Sequence, residues 1–354
     1  MKIKNTFLVV FLFFSITLFA TSKPHNADIV VALDGSGDYA KIQDAINAVP
    51  SNKAERTIIL IKNGLYNTEK LIVPVEKKNI TFRGENREKT IISYHIYDCK
   101  EGPNNKCPVE DVARWSGSVI RTSATITLFG DGFCAQNITF QNTAGAVGQA
   151  LAITICSDKN IFKNCNFLGY QDTIYLWTAG CRSYFTNCLV LGRTDYIYGA
   201  GIAFFDACEI RSYGGGWITA PSTPKDQAFG YVFSGCKLTF VSGSPRPKDD
   251  SSKIALGRPW HQYPKVAWIQ CEMCKEIDPL GWPTTWHMDY AATSSDLHLF
   301  EYKNTGIGAD TSNRAKWTGI RVLTDAEAKN YHVRNVLKGT DNWNPLKESK
   351  KNRL

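Results

Sequence analysis

Two aspartates in matching company are the residues of this chain most suited to chemistry. Asp172 lies in Gln171-Asp172-Thr173-Ile174-Tyr175, and Asp195 follows 23 residues later in Gly192-Arg193-Thr194-Asp195-Tyr196-Ile197-Tyr198-Gly199. A further amide, Gln149, precedes Gln171 by 22 residues. If the chain repeats with that period, all four polar groups fall on one patch, with the two carboxylates roughly one strand spacing (~4.8 Å) apart. Two acids that close do not both ionise freely, so one keeps its proton at neutral pH and serves as an acid while the other stays an anion. A single Asp or Gln at such a place reads as well as a turn residue or a rung of a hydrogen-bonded ladder; four together favour a site. Tyr170, Tyr175, Trp177, Tyr196 and Tyr198 flank the acids, either as surface packing or as faces for sugar rings.

Other chemistries lack their signatures. There is no GxSxG elbow, no Walker loop and no HExxH among the 354 residues. Gly35, Gly37 and the Gly214-Gly215-Gly216 run read as turn residues, because neither has the strand-to-helix setting of a phosphate cradle. Cys271 and Cys274 form a lone CxxC spacing with no matching second pair, so no metal site is expected. The chain carries 41 Lys and Arg against 33 Asp and Glu, a formal +8. That charge suits a polyanion of any kind: nucleic acid, an acidic membrane surface or an acidic polysaccharide. The basic residues are scattered rather than clustered, which argues against nucleic acid.

The acids must be positioned by a repeat. Phe162-Lys163-Asn164-Cys165-Asn166-Phe167 is echoed at Phe185 to Val190, Phe205 to Ile210, Phe233 to Leu238 and Trp268 to Met273. An aromatic stands three residues before each Cys, and an apolar residue two after. Asn79-Ile80-Thr81-Phe82 and Asn137-Ile138-Thr139-Phe140 carry the same apolar pair without the thiol. These short, β-rich segments between Gly, Asn and Asp read as strands, one supersecondary unit per repeat of a solenoid. Cys165, Cys188, Cys208, Cys236 and Cys271 then form a column of core thiols rather than a disulfide framework. Cys99 and Cys107, flanking a polar stretch, are the candidates for a loop disulfide. Asn79 and Asn137 fit the N-x-T sequon but belong to the repeated segments, so they read as structural.

These segments resemble the pectinesterase family. Its QDT segment is at Gln171 to Thr173, its GxVDFIFG segment at Gly192 to Gly199, and its LGRPW segment at Leu256 to Trp260. Weaker echoes are Asp34 to Tyr39, Gly281-Trp282 with Trp286, and Glu301 to Gly306, so the likeness runs from about Val30 to about Trp317. It implies an all-β, right-handed parallel β-helix with short capping helices. It also implies hydrolysis of methyl esters on galacturonate units of pectin, without a metal or organic cofactor. Carried over by position, Asp195 is the nucleophile and Asp172 the general acid and base. Gln149 and Gln171 would donate to the oxyanion, Arg258 would hold Asp195 ionised, and Trp260 and Tyr198 would shape sugar subsites. Departures stand beside the nucleophile: Arg193 and Thr194 replace small and β-branched residues, and Tyr196 and Tyr198 stand where Phe is common. They keep open a catalytically silent β-helix that binds pectin; paired acids also fit a polygalacturonase.

The rest of the chain frames this reading. Lys2 and Lys4, the apolar run Phe7 to Phe19 and the small residues Ala20 to Ser22 form a secretory signal over residues 1–22, cut after Ala20 or Ser22. Cleavage would leave +6, on a secreted, extracellular chain with no membrane span. Residues 23–344 read as one β-helix domain, expected to act as a monomer on pectin. Ile42, Ala45, Ile46 and Val49 predict a helix over the N-terminal end, and Thr324 with Glu327 a capping box opening a helix over the other. The polar tail 345–354 is expected to fray.

Overall fold

The recurring segments are strands, and each pairs in parallel with its counterpart one coil later. The computed structural model describes residues 27–97, 123–242, 253–283 and 290–351. Among them, Phe162 stands opposite Phe185, Phe185 opposite Phe205, Phe205 opposite Phe233, and Phe233 opposite Trp268. In-register stacking puts identical side chains over one another, so the rings form a column with centroids 4.7, 4.6, 4.7 and 3.9 Å apart. This column belongs to an 11-stranded sheet. A second, 13-stranded set consists of two rows, joined because the strands Leu189–Gly199 and Glu209–Pro221 run through both. Each coil therefore contributes three strand segments around one core, and the chain is a parallel β-helix.

The first corner of the coil explains the Asn and Cys columns together. Asn137, Asn164, Asn187, Ala207, Gly235 and Gln270 all have φ between 51° and 60°, the left-handed region that Asn and Gly tolerate and other residues resist. Asn187 Nδ2 donates to Asn164 Oδ1 at 3.1 Å, and Asn164 Nδ2 to Asn137 Oδ1 at 2.7 Å, so three amides form a ladder. The next residue points inward. Cys165, Cys188, Cys208, Cys236 and Cys271 are free and almost fully buried, and each thiol donates to the carbonyl two residues back, from 3.3 Å for Cys188 to 3.6 Å for Cys236. They are core thiols, as the repeat implied. Asn79 does not belong to this ladder: it precedes strand Ile80–Gly84 of the 11-stranded sheet, whereas Asn137 precedes Thr139–Asn142 of the other set. The likeness of their tetrapeptides reflects strand chemistry, not an equivalent place. Asn79 Nδ2 instead ties the carbonyls of Lys53 and Ala54.

The ends are closed unequally. Helix Ile42–Ala48 buries Ile42, Ala45 and Ile46 over the first coils. The capping box forms, with Glu327 N donating to Thr324 Oγ1 and Thr324 N to Glu327 Oε2. However, the helices that follow do not cover the far end. Val333, Val336, Leu337 and Trp343 lie on the outer face of the 11-stranded sheet against Ile161, Tyr184, Phe204 and Val232, whereas Leu297, Ala315 and Trp317 pack with the interior core. The outer face offers an apolar stripe of its own, which an amphipathic helix buries better than the end would. The tail is also ordered through Lys351: Pro345–Lys351 is a helix whose Glu348 accepts from Trp343 Nε1 at 2.6 Å and pairs with Arg56 at 3.2 Å. Arg182 anchors the same strap through Asp158 and Asp341, both at 2.6 Å. Among the described residues no helix is long and apolar enough to cross a membrane. Residues 1–22, with the expected signal, and the Cys99 and Cys107 pair lie outside the described residues.

Two stability outcomes follow from the columns. Phe205→Ala opens a cavity in the ring stack and should lower the unfolding free energy by about 3–5 kcal/mol. Ala207→Asn relieves the left-handed corner at an exposed position and should raise it by about 1 kcal/mol. Urea unfolding of both variants checks the pair; a stabilised Phe205→Ala or a destabilised Ala207→Asn would contradict it.

Candidate active site

The second corner of the coil holds the acids. In one coil the chain turns at Gly169 to Thr173 before strand Ile174–Leu176; in the next it runs through the corner as part of Leu189–Gly199. Gln149 bridges Gln171, and Gln171 bridges Thr194, as single parallel pairs outside the regular ladders. Asp172 N donates to Thr194 O at 3.0 Å and Ala150 N to Gln171 O at 3.1 Å. The three coils are thereby locked, with Asp172 and Asp195 at equivalent points of neighbouring coils, as the 23-residue spacing predicts. Gln149 and Gln171 are half-buried on the same patch.

Local backbone strain aims the acids. Asp172 has φ +64° and Asp195 φ +49°. The kink at Asp195 breaks strand alternation, and the pairing of Leu189–Gly199 with Glu209–Pro221 shifts register on both sides of Thr194. Tyr196 and Ile197 consequently both enter the core, and Tyr196 donates to or accepts from Ser212 Oγ at 2.8 Å. Tyr196 is thus not a ring beside the acids. Nor are Gly214 to Gly216 turn residues: they lie within strand Glu209–Pro221. A Cβ on Gly216 would sit 2.2 Å from Arg193 O, so only glycine lets this strand approach the coil that carries the nucleophile candidate.

Arg258 arrives from the coil beyond. Its Nε donates to Asp195 Oδ1 at 2.9 Å and its Nη2 to Oδ2, a two-pronged pair in which both partners are largely buried. Burial pushes the Asp195 carboxyl above the ordinary carboxylate range, while the hydrogen bonds and charge of Arg258 pull it back. The guanidinium also lies 4.7 Å over the Trp217 ring. Trp217 was not singled out by its motif, yet it stands opposite Thr194 in the ladder, 23 residues further along. The repeat interval itself was the signal. Beside the acids, Tyr175 and Tyr198 stack at 4.1 Å with 8° between planes, and Trp260 lies 5.8 Å from Tyr198. Tyr198 and Tyr175 are buried, while Trp177 and Trp260 are partly exposed. So Tyr198 forms the floor of an aromatic cluster whose accessible rims are Trp177 and Trp260. Among the described residues no three His, Cys, Asp or Glu side chains gather as a metal site.

Comparison with known proteins settles the kinship. The pectinesterase family model matches residues 28–340. The chain is 36% identical over 326 residues to the Arabidopsis thaliana protein named probable pectinesterase/pectinesterase inhibitor 13, which covers 90% of this chain and 49% of that protein. It is 37% identical over 322 residues to the Daucus carota pectinesterase, covering 88% of this chain and 93% of the relative. The chain belongs to the pectinesterase family. The solved pectin methylesterase from carrot superposes on this chain with a TM-score of 0.79 at 32% identity, over 93% of this chain and 98% of that one. The chain spans about half the length of the Arabidopsis relative and nearly all of the carrot one.

If Arg258 keeps Asp195 an anion against burial, Arg258→Ala leaves burial unopposed. The acidic limb of the kcat/KM profile should then move to higher pH, with kcat down by about 100-fold or more. A pH–rate profile of the variant tests this; an acidic limb that stays in place contradicts it.

Proposed function

We propose that this pectinesterase hydrolyses methyl esters of galacturonate units in pectin, releasing methanol and leaving free carboxylates on the chain. The observation that carries the proposal is the Asp195–Arg258 pair held one coil from Asp172. An anion fixed by a guanidinium beside a second carboxyl supplies a nucleophile and a proton donor in one place.

The steps follow from those two groups. Asp195 attacks the ester carbonyl carbon, and the carbonyl oxygen takes up negative charge. The side-chain amides of Gln149 and Gln171, stacked on the same patch, donate hydrogen bonds to that oxyanion. The C–O bond to the methoxy group breaks, and Asp172 gives its proton to the departing oxygen, so methanol leaves and an acyl-enzyme remains. Asp172, now a carboxylate, takes a proton from water, whose oxygen attacks the acyl carbon. The bond between the acyl carbon and Asp195 breaks, which restores Asp195 as an anion and leaves Asp172 again an acid; the galacturonic acid so formed gives its remaining proton to solvent and departs as the carboxylate. No step calls for a metal or an organic cofactor. Trp260 and Trp177 offer apolar faces at the rim for sugar rings, above the buried Tyr175 and Tyr198.

A pure esterase differs from a chain-cutting enzyme in what it leaves behind. Purified protein should release methanol from methylated pectin while the size distribution of the polymer stays unchanged. Falling chain length would favour glycosidic cleavage instead, and saturable binding without methanol would favour a silent pectin-binding β-helix. As demethylation makes the product more anionic, its binding to this basic chain should strengthen and should weaken as salt rises from 0.05 to ~0.5 M. Product affinity that is indifferent to salt counts against that part of the account.

A further inference from the structure

Tyr198 carries a hydroxyl that packing does not explain. Its ring is 2% exposed, stacked on Tyr175 and flanked by Trp260, so the ring is held by its faces alone. The hydroxyl oxygen is fully buried and meets no partner in good hydrogen-bond geometry, although the Asp172 carboxyl lies near enough to act on it as an acceptor. A buried phenol without a partner is costly, and Phe would fill the same space without that cost. Something at this site must make the hydroxyl worth keeping.

The neighbours narrow the choice. Tyr198 stands opposite Tyr175 in the ladder, three residues beyond Asp195 on its own strand, and Tyr175 stands three beyond Asp172. The charged and titratable groups around the phenol are Asp172 and Tyr175 from the preceding coil and Asp195 from its own. Arg258 reaches in from the coil beyond through Asp195, and His261 lies behind Trp260, 5.0 Å ring to ring. The opposing residue on Glu209–Pro221 is Ala220, which has no charge. Asp172 acts on the phenol more strongly than any other of these groups, and burial with that charge holds the phenol far above its usual range, so it stays a neutral donor.

We infer that the Tyr198 hydroxyl is a positioning donor for Asp172, turning to its carboxylate at the stage when Asp172 has lost its proton. This rests on the proposed function. While Asp172 is protonated, the phenol has only a poorly aligned contact with it. When the methoxy oxygen takes the Asp172 proton, a carboxylate appears in a water-poor corner, and the phenol O–H hydrogen-bonds to it. The phenol keeps its proton throughout. A hydrogen bond to the charged form favours that form, so Tyr198 makes Asp172 a readier acid and holds the anion that later activates water. An aromatic ring without the hydroxyl supplies the packing but not this service.

The test is the basic limb of the pH profile, where loss of the Asp172 proton ends its role as acid. Tyr198→Phe removes a stabiliser of the anion, which raises the pKa of Asp172. The basic limb of kcat/KM for methanol release should therefore move up by about 0.5–1 pH unit. Its acidic limb, set by Asp195, should stay in place. Because the lost hydroxyl is buried without a well-aligned partner, the melting temperature should hold or rise. Replacing Tyr198 by 3-fluorotyrosine keeps the shape, strengthens the donor and should move the basic limb down; this variant decides the matter if Tyr198→Phe does not fold. An unmoved basic limb in a folded, active Tyr198→Phe overturns the inference, as does complete loss of activity, which would place the hydroxyl on the substrate itself. If the wild-type protein releases no methanol at all, the proposed function fails first, and that result is distinct from a limb that does not move.

Discussion

The structure depends on one constraint, the in-register parallel pairing of each coil with the next. Backbone hydrogen bonds between equivalent residues force like side chains over like, which makes columns: rings in the core, thiols after the first corner, amides at the corner itself. None of these columns is a separate device. Each is what a repeated sequence must do when its copies stack at one strand spacing. The same stacking brings Gln149, Gln171 and Thr194 into single bridges and sets Asp172 against the coil of Asp195. Such a site is built by the ladder itself. It is a place where the column changes from apolar to acidic.

Where the column turns acidic, the regular geometry gives way. Both aspartates take left-handed backbone conformations, and the pairing beside Asp195 slips register. Such conformations cost of order 1–3 kcal/mol each, which the long ladders on either side can sustain. The reward is orientation: Asp195 leaves the strand plane toward Arg258 while Tyr196 and Ile197 fill the core behind it. Burial alone would make Asp195 a poor anion, and Arg258 opposes that tendency with two hydrogen bonds from a guanidinium resting on Trp217. The two acids thus sit in unlike surroundings although the repeat makes their positions alike. Arg258 serves one of them, and Tyr198 lies by the other.

Much of this was legible because solenoids write their architecture into spacing. The interval between Cys165 and Cys188 is the interval between Asp172 and Asp195, and a reader of that equality alone obtains strands, core thiols and the approach of the acids. What the interval did not convey was the change of direction at each corner. Tyr196 was named beside the acids because it adjoins Asp195 in sequence, but the left-handed φ of Asp195 sends Tyr196 and Ile197 together into the core. The likeness of Asn79 to Asn137 was real at the level of strand propensity and misleading at the level of place. One C-terminal helix was foreseen from the Thr324 capping box, whereas the helices Val333–Leu337 and Pro345–Lys351 were not foreseen. A cap says where a helix starts, not which face it covers. That was decided by the second apolar stripe, on the outer face of the sheet, which strand alternation alone leaves without a partner.

The central claim is that register makes Asp195 a nucleophile beside an acid. The most direct measurement is the rate of methanol release from methylated pectin by Asp195→Ala, with correct folding verified by its circular dichroism and melting curve. The account predicts a fall of about 10³-fold or more, to the level that binding and the amide donors alone provide. A folded Asp195→Ala that releases methanol as fast as the wild-type protein would contradict it.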